Sequence, residues 1–347
     1  MFDRSQRQQE FTAMPAARKL SRRSFVRASI GAGAILAARR AGAAPGKIEK
    51  PKLTLGLAVP AASFLPVYVA AARTWKEQGL EVEIVSFRGD AEVSQAMAGG
   101  SLDLSLQSFD GLINLINANQ PVKGFYAGFH QADFAWLAQP SIKAWADLKG
   151  GTIGVSTFGS LTDQLTRYVL RKHSLKPETD VRIMQAGPSA TSIQLLRSGR
   201  LLAAIQSAPT KWVAEDLGLT VLGTQEKEIA PQWPKHTFVA RTKFLEENPE
   251  TVRAFLRAHV AAIRLARADR ALAVKVLVDQ VKYQPSYAAR AYDENLPAFD
   301  ERGRLPDDKY MDIFWSIVIA AGTAKEPWPA ARLMDDRFIG TFAEWAP

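Results

Sequence analysis

The stretch KLTLGLAVPAASFLPVYVAAARTWKEQGLEVEIV, residues 52–85, holds a complete strand–helix–strand unit. Its first part, Lys52–Ala58, is rich in apolar residues and alternates, which predicts a buried strand. Pro66 then opens a helical pattern, and Gly79 follows that pattern as its C-cap. The last part, Glu81–Val85, alternates with period two. Two strands joined by a helix predict a βαβ unit in a mostly parallel sheet.

The same order of strand and helix continues downstream and restarts after residue 140. Before that point, the pattern predicts strands at Leu102–Leu106 and Val122–Phe129 and helices at Asp90–Ala98 and Leu112–Ala118. After it, the pattern predicts strands at Thr152–Val155, Val181–Met184, Ala203–Gln206 and Thr220–Leu222, and helices at Leu161–His173, Ser189–Arg197 and Pro209–Leu217. From Pro249 onward the pattern is mostly helical. Two successive α/β units of similar length predict two α/β lobes with a cleft between them.

The N-terminal segment has the features of an export signal. Residues 21–46 read SRRSFVRASIGAGAILAARRAGAAPG, with paired arginines before a short apolar run and small residues after it. The apolar run, Ala28–Ala38, is too short to cross a bilayer. We therefore predict a twin-arginine signal peptide at residues 1–43, with the mature chain beginning at Ala44. The alternative is a disordered basic N-terminus on a cytosolic protein.

Charge and cysteine content narrow the function classes. The net charge is +9, but residues 1–43 carry nine basic and two acidic residues, which leaves only +2 for the mature chain. A nucleic-acid-binding protein normally has a large basic excess, so no nucleic-acid partner is predicted. The chain has no cysteine, which excludes disulfides, cysteine-ligated metals and a lipid anchor on an N-terminal cysteine. We expect a monomer in the bacterial periplasm.

Signatures of catalysis are missing from the sequence. The histidines are spread along the chain without metal-ligand spacing, at His130, His173, His236 and His259. The sequence has no GxxxxGK phosphate-binding loop and no G-x-S-x-G nucleophile motif. We therefore predict a protein that is not an enzyme, with no catalytic residues, no metal ligands and no cofactor.

Several short motifs occur in a familiar order. They are GLEVEIV at Gly79–Val85, GSLDL at Gly100–Leu104, QPVK at Gln120–Lys123 and ADLKG at Ala146–Gly150, followed by a glycine turn within 152–160. With them the chain resembles the periplasmic solute-binding proteins of ATP-binding-cassette (ABC) importers for nitrate, sulfonates and taurine. That group shares its domain with thiamine-pyrimidine-synthase-like proteins.

The resemblance implies a fold and a set of partners. The fold is the type II periplasmic binding protein fold, with lobe one at residues 51–138 plus 241–347 and lobe two at 139–240. Two chain crossings would form the hinge, and the partners would be an inner-membrane permease and its ATPase. The chain departs from the family pattern in two places. Leu202 stands where Asp is usual, and Ser207-Ala208 replaces an acidic or aromatic pair.

In doubly wound sheets, ligands lie beyond the carboxyl ends of the strands. Four predicted loops at such ends are rich in hydroxyl groups, which suits an oxyanion. The candidate ligand-binding residues on these loops are Ser63, Phe64, Gln107, Ser108, Phe109, Ser156, Thr157, Gly159, Ser160, Thr162 and Ser207, and His236 near the return crossing is a further candidate.

The loop around Gly159 has the clearest mechanism. Free N–H groups at the start of the helix that follows, together with the helix dipole, favour an anion without a buried cation. The alternative is that Ser160 only caps its own helix, with Asp163 completing a capping box.

The aromatic residues Phe64, Phe109 and Phe158 indicate an organic body beside the anionic group, or else ordinary core packing. His236 could contact the ligand or only complete a hinge hydrogen bond, and Trp212 could face the cleft or the core. The predicted ligand is a small organic anion: a sulfonate, a taurine-like compound or an aromatic acid. The alternatives are a pyrimidine-type thiamine precursor as ligand, or an exported enzyme on the same fold.

Overall fold

The computed structural model of the protein describes residues 46–347, except Val59, Arg88 and Pro188 and the side chains of Ser189 and Ala190. The predicted signal peptide at residues 1–43 lies outside the described residues. Residues Lys47–Pro347 form one compact unit. Within the described residues, no helix is long and apolar enough to span a membrane.

The described strands are β1 (Lys52–Leu57), β2 (Glu81–Ser86), β3 (Leu104–Ser108), β4 (Val122–Gln131), β5 (Ala135–Ala138), β6 (Thr152–Val155), β7 (Arg182–Gln185), β8 (Ala203–Gln206), β9 (Thr220–Thr224) and β10 (Gln232–Arg241). The described α-helices are α1 (Leu65–Val69), α2 (Trp75–Glu77), α3 (Asp90–Ala98), α4 (Phe109–Asn117), α5 (Leu161–Lys172), α6 (Ser189–Arg197), α7 (Thr210–Asp216), α8 (Gln225–Glu228), α9 (Thr242–Glu247), α10 (Pro249–Ala268), α11 (Arg270–Val276), α12 (Pro285–Asn295), α13 (Asp308–Ala320), α14 (Ala330–Leu333), α15 (Arg337–Gly340) and α16 (Phe342–Trp345). Short 3-10 turns lie at Ala62–Phe64, Trp145–Leu148 and Leu296–Ala298, and π-helical turns at Ala70–Thr74 and Leu277–Val281.

The strands form two five-stranded sheets of the same design. The first has the order β2-β1-β3-β10-β4 and the second β7-β6-β8-β5-β9. In each sheet the first three strands are parallel, and the fourth, β10 or β5, runs antiparallel to its neighbours. That reversed strand comes from the part of the chain that crosses between the sheets. We call the first sheet with its helices the first lobe, and the second sheet with its helices the second lobe.

The chain changes sheet slightly before the predicted lobe boundaries at 138 and 240. The first crossing lies between β4 and β5, at residues 132–134, and the second between β9 and β10. Strand β5 therefore pairs in the second sheet and β10 in the first. The exact extent of each lobe as a folding unit stays a prediction.

The opening βαβ unit forms as predicted. Strand β1 pairs in parallel with β2, from Lys52 opposite Glu81 to Leu57 opposite Ser86. The helix between them begins at Leu65 and passes through the π-helical turn before it ends at Glu77. Gly79 has a φ of +72°, and the N–H of Leu80 donates to the carbonyl of Trp75 at 2.9 Å. This left-handed C-terminal motif satisfies helix carbonyls that would otherwise lack donors.

Helices from both lobes meet in a polar contact between α7 and α12. Helix α7 follows β8 in the second lobe, whereas α12 packs on the Ala62–Phe64 turn of the first. The carboxylate of Glu294 accepts from the ammonium of Lys211 at 2.7 Å and from the indole N–H of Trp212 at 3.0 Å. Tyr287 donates to Asp216 at 2.5 Å. The two lobes are therefore linked by side chains as well as by the chain crossings.

Candidate functional site

The loop between β6 and α5 brings three hydroxyl groups into a triangle. The Ser156, Ser160 and Thr162 oxygens lie 2.8–3.0 Å from one another. The Ser160 hydroxyl also donates to the carbonyl of Thr157 at 2.7 Å. Each hydroxyl carries one proton, so two protons remain for three internal contacts. Those protons can turn toward a ligand oxygen by rotation about a single C–O bond.

Two backbone amides of the loop before α5 already have partners. The N–H of Gly159 donates to Asp163 at 2.8 Å, and that of Ser156 donates to Thr162 Oγ1 at 3.0 Å. Gly159 has a φ of +74°, and no atom lies within 4 Å of a Cβ built on it, so the turn faces open space. The loop therefore places hydroxyl groups beside the start of α5, and the availability of the amides in the first turn of that helix stays a prediction.

The capping alternative for Ser160 is wrong. Its side chain accepts no hydrogen bond from a backbone N–H of the first turn of α5, because its hydroxyl bonds to the Thr157 carbonyl and to the Ser156 and Thr162 hydroxyls instead. Asp163 does not complete a capping box either. It accepts from Gly159 and forms an ion pair with Arg167, at 2.7 Å from Nε to Oδ1. The same guanidinium also pairs with Glu178 at 2.8 Å, so it offsets only part of the negative charge of Asp163 beside α5.

A second group of predicted residues meets in the first lobe. The hydroxyl of Ser63 lies 3.1 Å from Nε2 of His236, and the His236 ring contacts Phe64 at 4.8 Å between centroids. The imidazole also stacks on Phe129, at 5.7 Å between ring centroids. Burial, with help from the nearby charge of Lys235, holds the pKa of His236 well below its usual value. His236 is therefore a neutral side chain in contact with two aromatic rings. We call the rings of Phe64, Phe129 and His236 the aromatic wall.

The third group lies at the junction of β3 and α4, where the structure has no loop. Gln107 and Ser108 belong to the strand, and the helix begins directly at Phe109. Gln107 is buried and accepts from Ser94 at 2.9 Å, whereas Ser108 caps α4 by accepting from the N–H of Gly111. Phe109 is fully buried against Phe314, which is the core packing considered as the alternative for this ring.

The remaining predicted residues lie apart from these groups. Ser207 is half-buried before α7, and Thr157 is exposed beside the hydroxyl triangle. Phe158 is 56% exposed at the tip of the same loop, whereas Phe64 is buried. Trp212 is fully buried, and it bonds to Glu294 of the first lobe rather than facing an open cleft.

A buried ion pair at the chain crossings was not among the predicted site residues. Asp133 lies on the crossing between β4 and β5, and Lys235 lies near the start of β10. The Lys235 ammonium contacts the Asp133 carboxylate, and the two side chains are 11% and 9% exposed. The sequence signal was a Lys and an Asp beside two short apolar runs, which is too common a pattern to single out.

The described residues offer no cluster of His, Asp and Glu suited to a metal ion. A family model described as NMT1/THI5 like matches residues 61–271, which is more than half of the chain. The chain belongs to the NMT1/THI5-like family. The matched region includes strands of both sheets and the hydroxyl triangle.

A curated relative and two solved structures add to this assignment. YtlA of Bacillus subtilis (strain 168), named as a candidate binding protein, is 27% identical over 202 residues, which cover 56% of this chain and 60% of YtlA. The chain thus spans less than two thirds of that relative's length. The periplasmic aliphatic sulphonate binding protein SsuA of Escherichia coli is 18% identical with a TM-score of 0.69, over 82% of this chain and 92% of SsuA. The periplasmic nitrate-binding protein NrtA of Synechocystis PCC 6803 is 13% identical with a TM-score of 0.68, over 86% of this chain and 89% of NrtA.

At these identities the likeness to solved structures concerns the fold. It confirms the predicted class, an α/β periplasmic binding protein fold with two lobes. YtlA, SsuA and NrtA are named as binding proteins and none as an enzyme, which agrees with the prediction that this chain is not an enzyme.

Proposed function

We propose that the protein is an extracytoplasmic solute-binding component of an ABC importer that captures a small organic anion between its lobes. The fold and the family support the binding role. The periplasmic binding proteins among the structural neighbours support a periplasmic location, with an inner-membrane permease and its ATPase as partners. The predicted twin-arginine signal is the export route that we propose.

The hydroxyl triangle of Ser156, Ser160 and Thr162 is the observation that supports an organic anion as the ligand. It lies at the N-terminal end of α5, where the helix dipole is positive and favours negative charge. Hydroxyl protons can reorient toward a carboxylate or sulfonate oxygen, and Arg167, which pairs with both Asp163 and Glu178, offsets part of the charge of Asp163. Phe158, exposed on the same loop, offers an apolar surface for an organic body.

Thermal unfolding with a panel of compounds tests this function. The panel contains ethanesulfonate, benzoate, nitrate and a 4-aminopyrimidine, each added to the purified protein. A ligand at about 100 times its dissociation constant adds roughly 2.7 kcal/mol to the free energy of unfolding. We expect at least one organic anion to raise the melting temperature. A rise with the pyrimidine alone would assign the protein to the precursor-binding alternative.

A single hydroxyl deletion locates the site. Ser156→Ala removes one corner of the triangle, and a hydrogen bond to a charged group is worth about 1.5–3 kcal/mol. We expect the anion to bind roughly 10- to 100-fold more weakly to this variant by isothermal titration calorimetry. The matched control is Ser316→Ala, because Ser316 is exposed on α13 and its hydroxyl donates to the carbonyl of Ile313 in the same helix. Equal affinities of both variants would contradict the assignment.

A further inference from the structure

A solvent-accessible groove separates helix α5 of the second lobe from helix α13. Its volume is about 360 Å³, which lies in the range of roughly 300–1,000 Å³ that is typical of small-molecule pockets. Arg167 and Arg171 line one side of the groove, and Ile317, Ala320 and Ala321 line the other. One side is therefore cationic and the other apolar.

The α5 side carries two guanidinium groups that are one helical turn apart. This spacing puts Arg167 and Arg171 on the same face of the helix. Arg167 is already paired, at 2.7 Å from Nε to Asp163 and at 2.8 Å from Nη2 to Glu178. The guanidinium of Arg171 is exposed and has no hydrogen bond or ion pair within the part of the chain that the structure describes. Its planar set of N–H donors matches the two oxygens of a carboxylate.

The α13 side offers an apolar surface. Ile317, Ala320 and Ala321 have the spacing that places side chains on one face of a helix. Ala320 and Ala321 are exposed, so their methyl groups are available to an occupant. The helix closes on itself here, because the N–H of Thr323 donates to the carbonyl of Val318 at 3.0 Å. This side suits a hydrocarbon chain.

The groove lies between elements of both lobes, because α13 is anchored in the first lobe. The Phe314 ring of α13 packs on Phe109 of α4, at 5.5 Å between ring centroids, and on Trp233 of β10 at 5.2 Å. The side-chain amide of Asn117 donates to the carbonyl of Thr323 at 2.8 Å. A molecule in contact with both sides of the groove therefore joins the two lobes.

We infer that the groove is a second binding site and that it takes an amphipathic carboxylate, a small molecule with a carboxylate at one end and a short hydrocarbon chain at the other. Arg171 holds the carboxylate, and the chain lies along Ile317, Ala320 and Ala321. The inference goes beyond the proposed function, because the three hydroxyl groups of the triangle are not among the groups that line the groove.

Octanoate is the probe, and butanoate is the matched compound with a shorter chain. Calorimetric titration of the intact protein measures both affinities. A fully buried methylene group increases affinity by up to about fourfold. Octanoate has four more methylene groups than butanoate, and the groove is open on one side. We therefore expect octanoate to bind at least about tenfold more tightly.

Two variants test the two sides of the groove separately. Arg171→Gln removes the unpaired cation and should weaken octanoate binding by about fivefold or more, because a charge-assisted pair at an exposed position is lost. Ala320→Trp fills the groove from the α13 side and should abolish octanoate binding. The matched control is Arg197→Gln, because Arg197 is exposed at the end of α6 in the second lobe and does not line the groove. We expect this control to keep the wild-type affinity.

Ser156→Ala distinguishes this site from the hydroxyl triangle, which octanoate could also occupy as an organic anion. We expect Ser156→Ala to leave octanoate binding unchanged. The inference is overturned if octanoate does not bind the wild-type protein, or if either Arg171→Gln or Ala320→Trp keeps the wild-type affinity. Loss of octanoate binding in Ser156→Ala alone would overturn the inference and support the proposed function.

Discussion

Among single residues, Asp110 is the acidic group whose protonation the fold changes most clearly. It lies in the first turn of α4, where both its carboxylate oxygens are buried without a partner among the described residues. Burial, followed by the negative charge of Asp90, raises the pKa of Asp110 to about 7 from 3.8. The folded protein therefore holds this proton more tightly than the unfolded chain does.

The consequence is a stability that falls with rising pH. The contribution of Asp110 is fully present below pH 3.8 and is lost as the pH rises through about 7. Asp110→Asn keeps the shape and removes the titration. We expect the variant to gain stability relative to wild type between pH 5 and pH 8, by up to about 4 kcal/mol, in urea unfolding at each pH. Asp312→Asn, at an exposed position of α13, should show no such gain. Equal behaviour of the two variants would contradict the assignment.

Among the elements, β4 depends on a turn from the C-terminal part of the chain. Gly303 in that turn has a φ of +67°, and a Cβ there would lie 2.2 Å from the Tyr126 ring. The N–H of Ala127 donates to the Gly303 carbonyl at 2.8 Å. Tyr126 lines the same pocket as Ser63 and His236, so this turn supports the aromatic wall of the site.

Gly303→Ala tests that support. The methyl group must displace the Tyr126 ring, and overpacking of this kind lowers the free energy of unfolding by about 1–3 kcal/mol. Alanine also tolerates a positive φ less well than glycine does, which lowers the stability further. We expect a lower melting temperature by differential scanning calorimetry. Gly340→Ala is the control, because nothing lies within 4 Å of a Cβ at that helical position. A melting temperature unchanged by Gly303→Ala would show that the turn and the Tyr126 ring can move apart without loss of stability.

The elements also show what the sequence could and could not predict. Regular alternation and glycine caps identified β1, β2 and α3 closely, since those patterns follow from burial on one face. Strand β10 was missed because its sequence, QWPKHTFVAR, contains Pro, Lys and His and pairs through register shifts. Strand β5 has only four residues. Asp133 and Lys235 lie beside these two strands, so the ion pair could not be predicted without them.

For the candidate site, too, the sequence predicted contacts between neighbouring residues better than contacts between residues far apart in the chain. The triangle of Ser156, Ser160 and Thr162 lies within one short loop, so the sequence could bring its members together. Its side-chain bonds could not be predicted, and they overturned the capping role of Ser160. The contact between Ser63 and His236 joins residues 173 positions apart, and only the pairing of β10 in the first sheet brings them together.

At the scale of the whole molecule, ligand affinity depends on how readily the lobes separate. A ligand that bridges the lobes shifts the equilibrium only by its difference in affinity for the two arrangements. The contacts between α7 and α12 stabilise the arrangement of the lobes seen in the structure, and we expect a ligand held between the lobes to favour the same arrangement. Four polar side-chain pairs contribute, and Glu294 takes part in two of them, with Lys211 and Trp212.

Glu294→Ala should therefore shift the protein toward an open arrangement. It removes a charged acceptor from both Lys211 and Trp212, and losing such bonds costs about 1–3 kcal/mol, or roughly a 5- to 150-fold change in the open–closed ratio. We expect a larger radius of gyration by small-angle X-ray scattering without ligand, and a return to the wild-type value with saturating ligand. The control is Glu247→Ala, because among the described residues the Glu247 carboxylate forms an ion pair only with Lys243 of the same helix, α9. If Glu294→Ala leaves the scattering unchanged, the chain crossings and the apolar contacts around Trp212 must hold the lobes together without this contact.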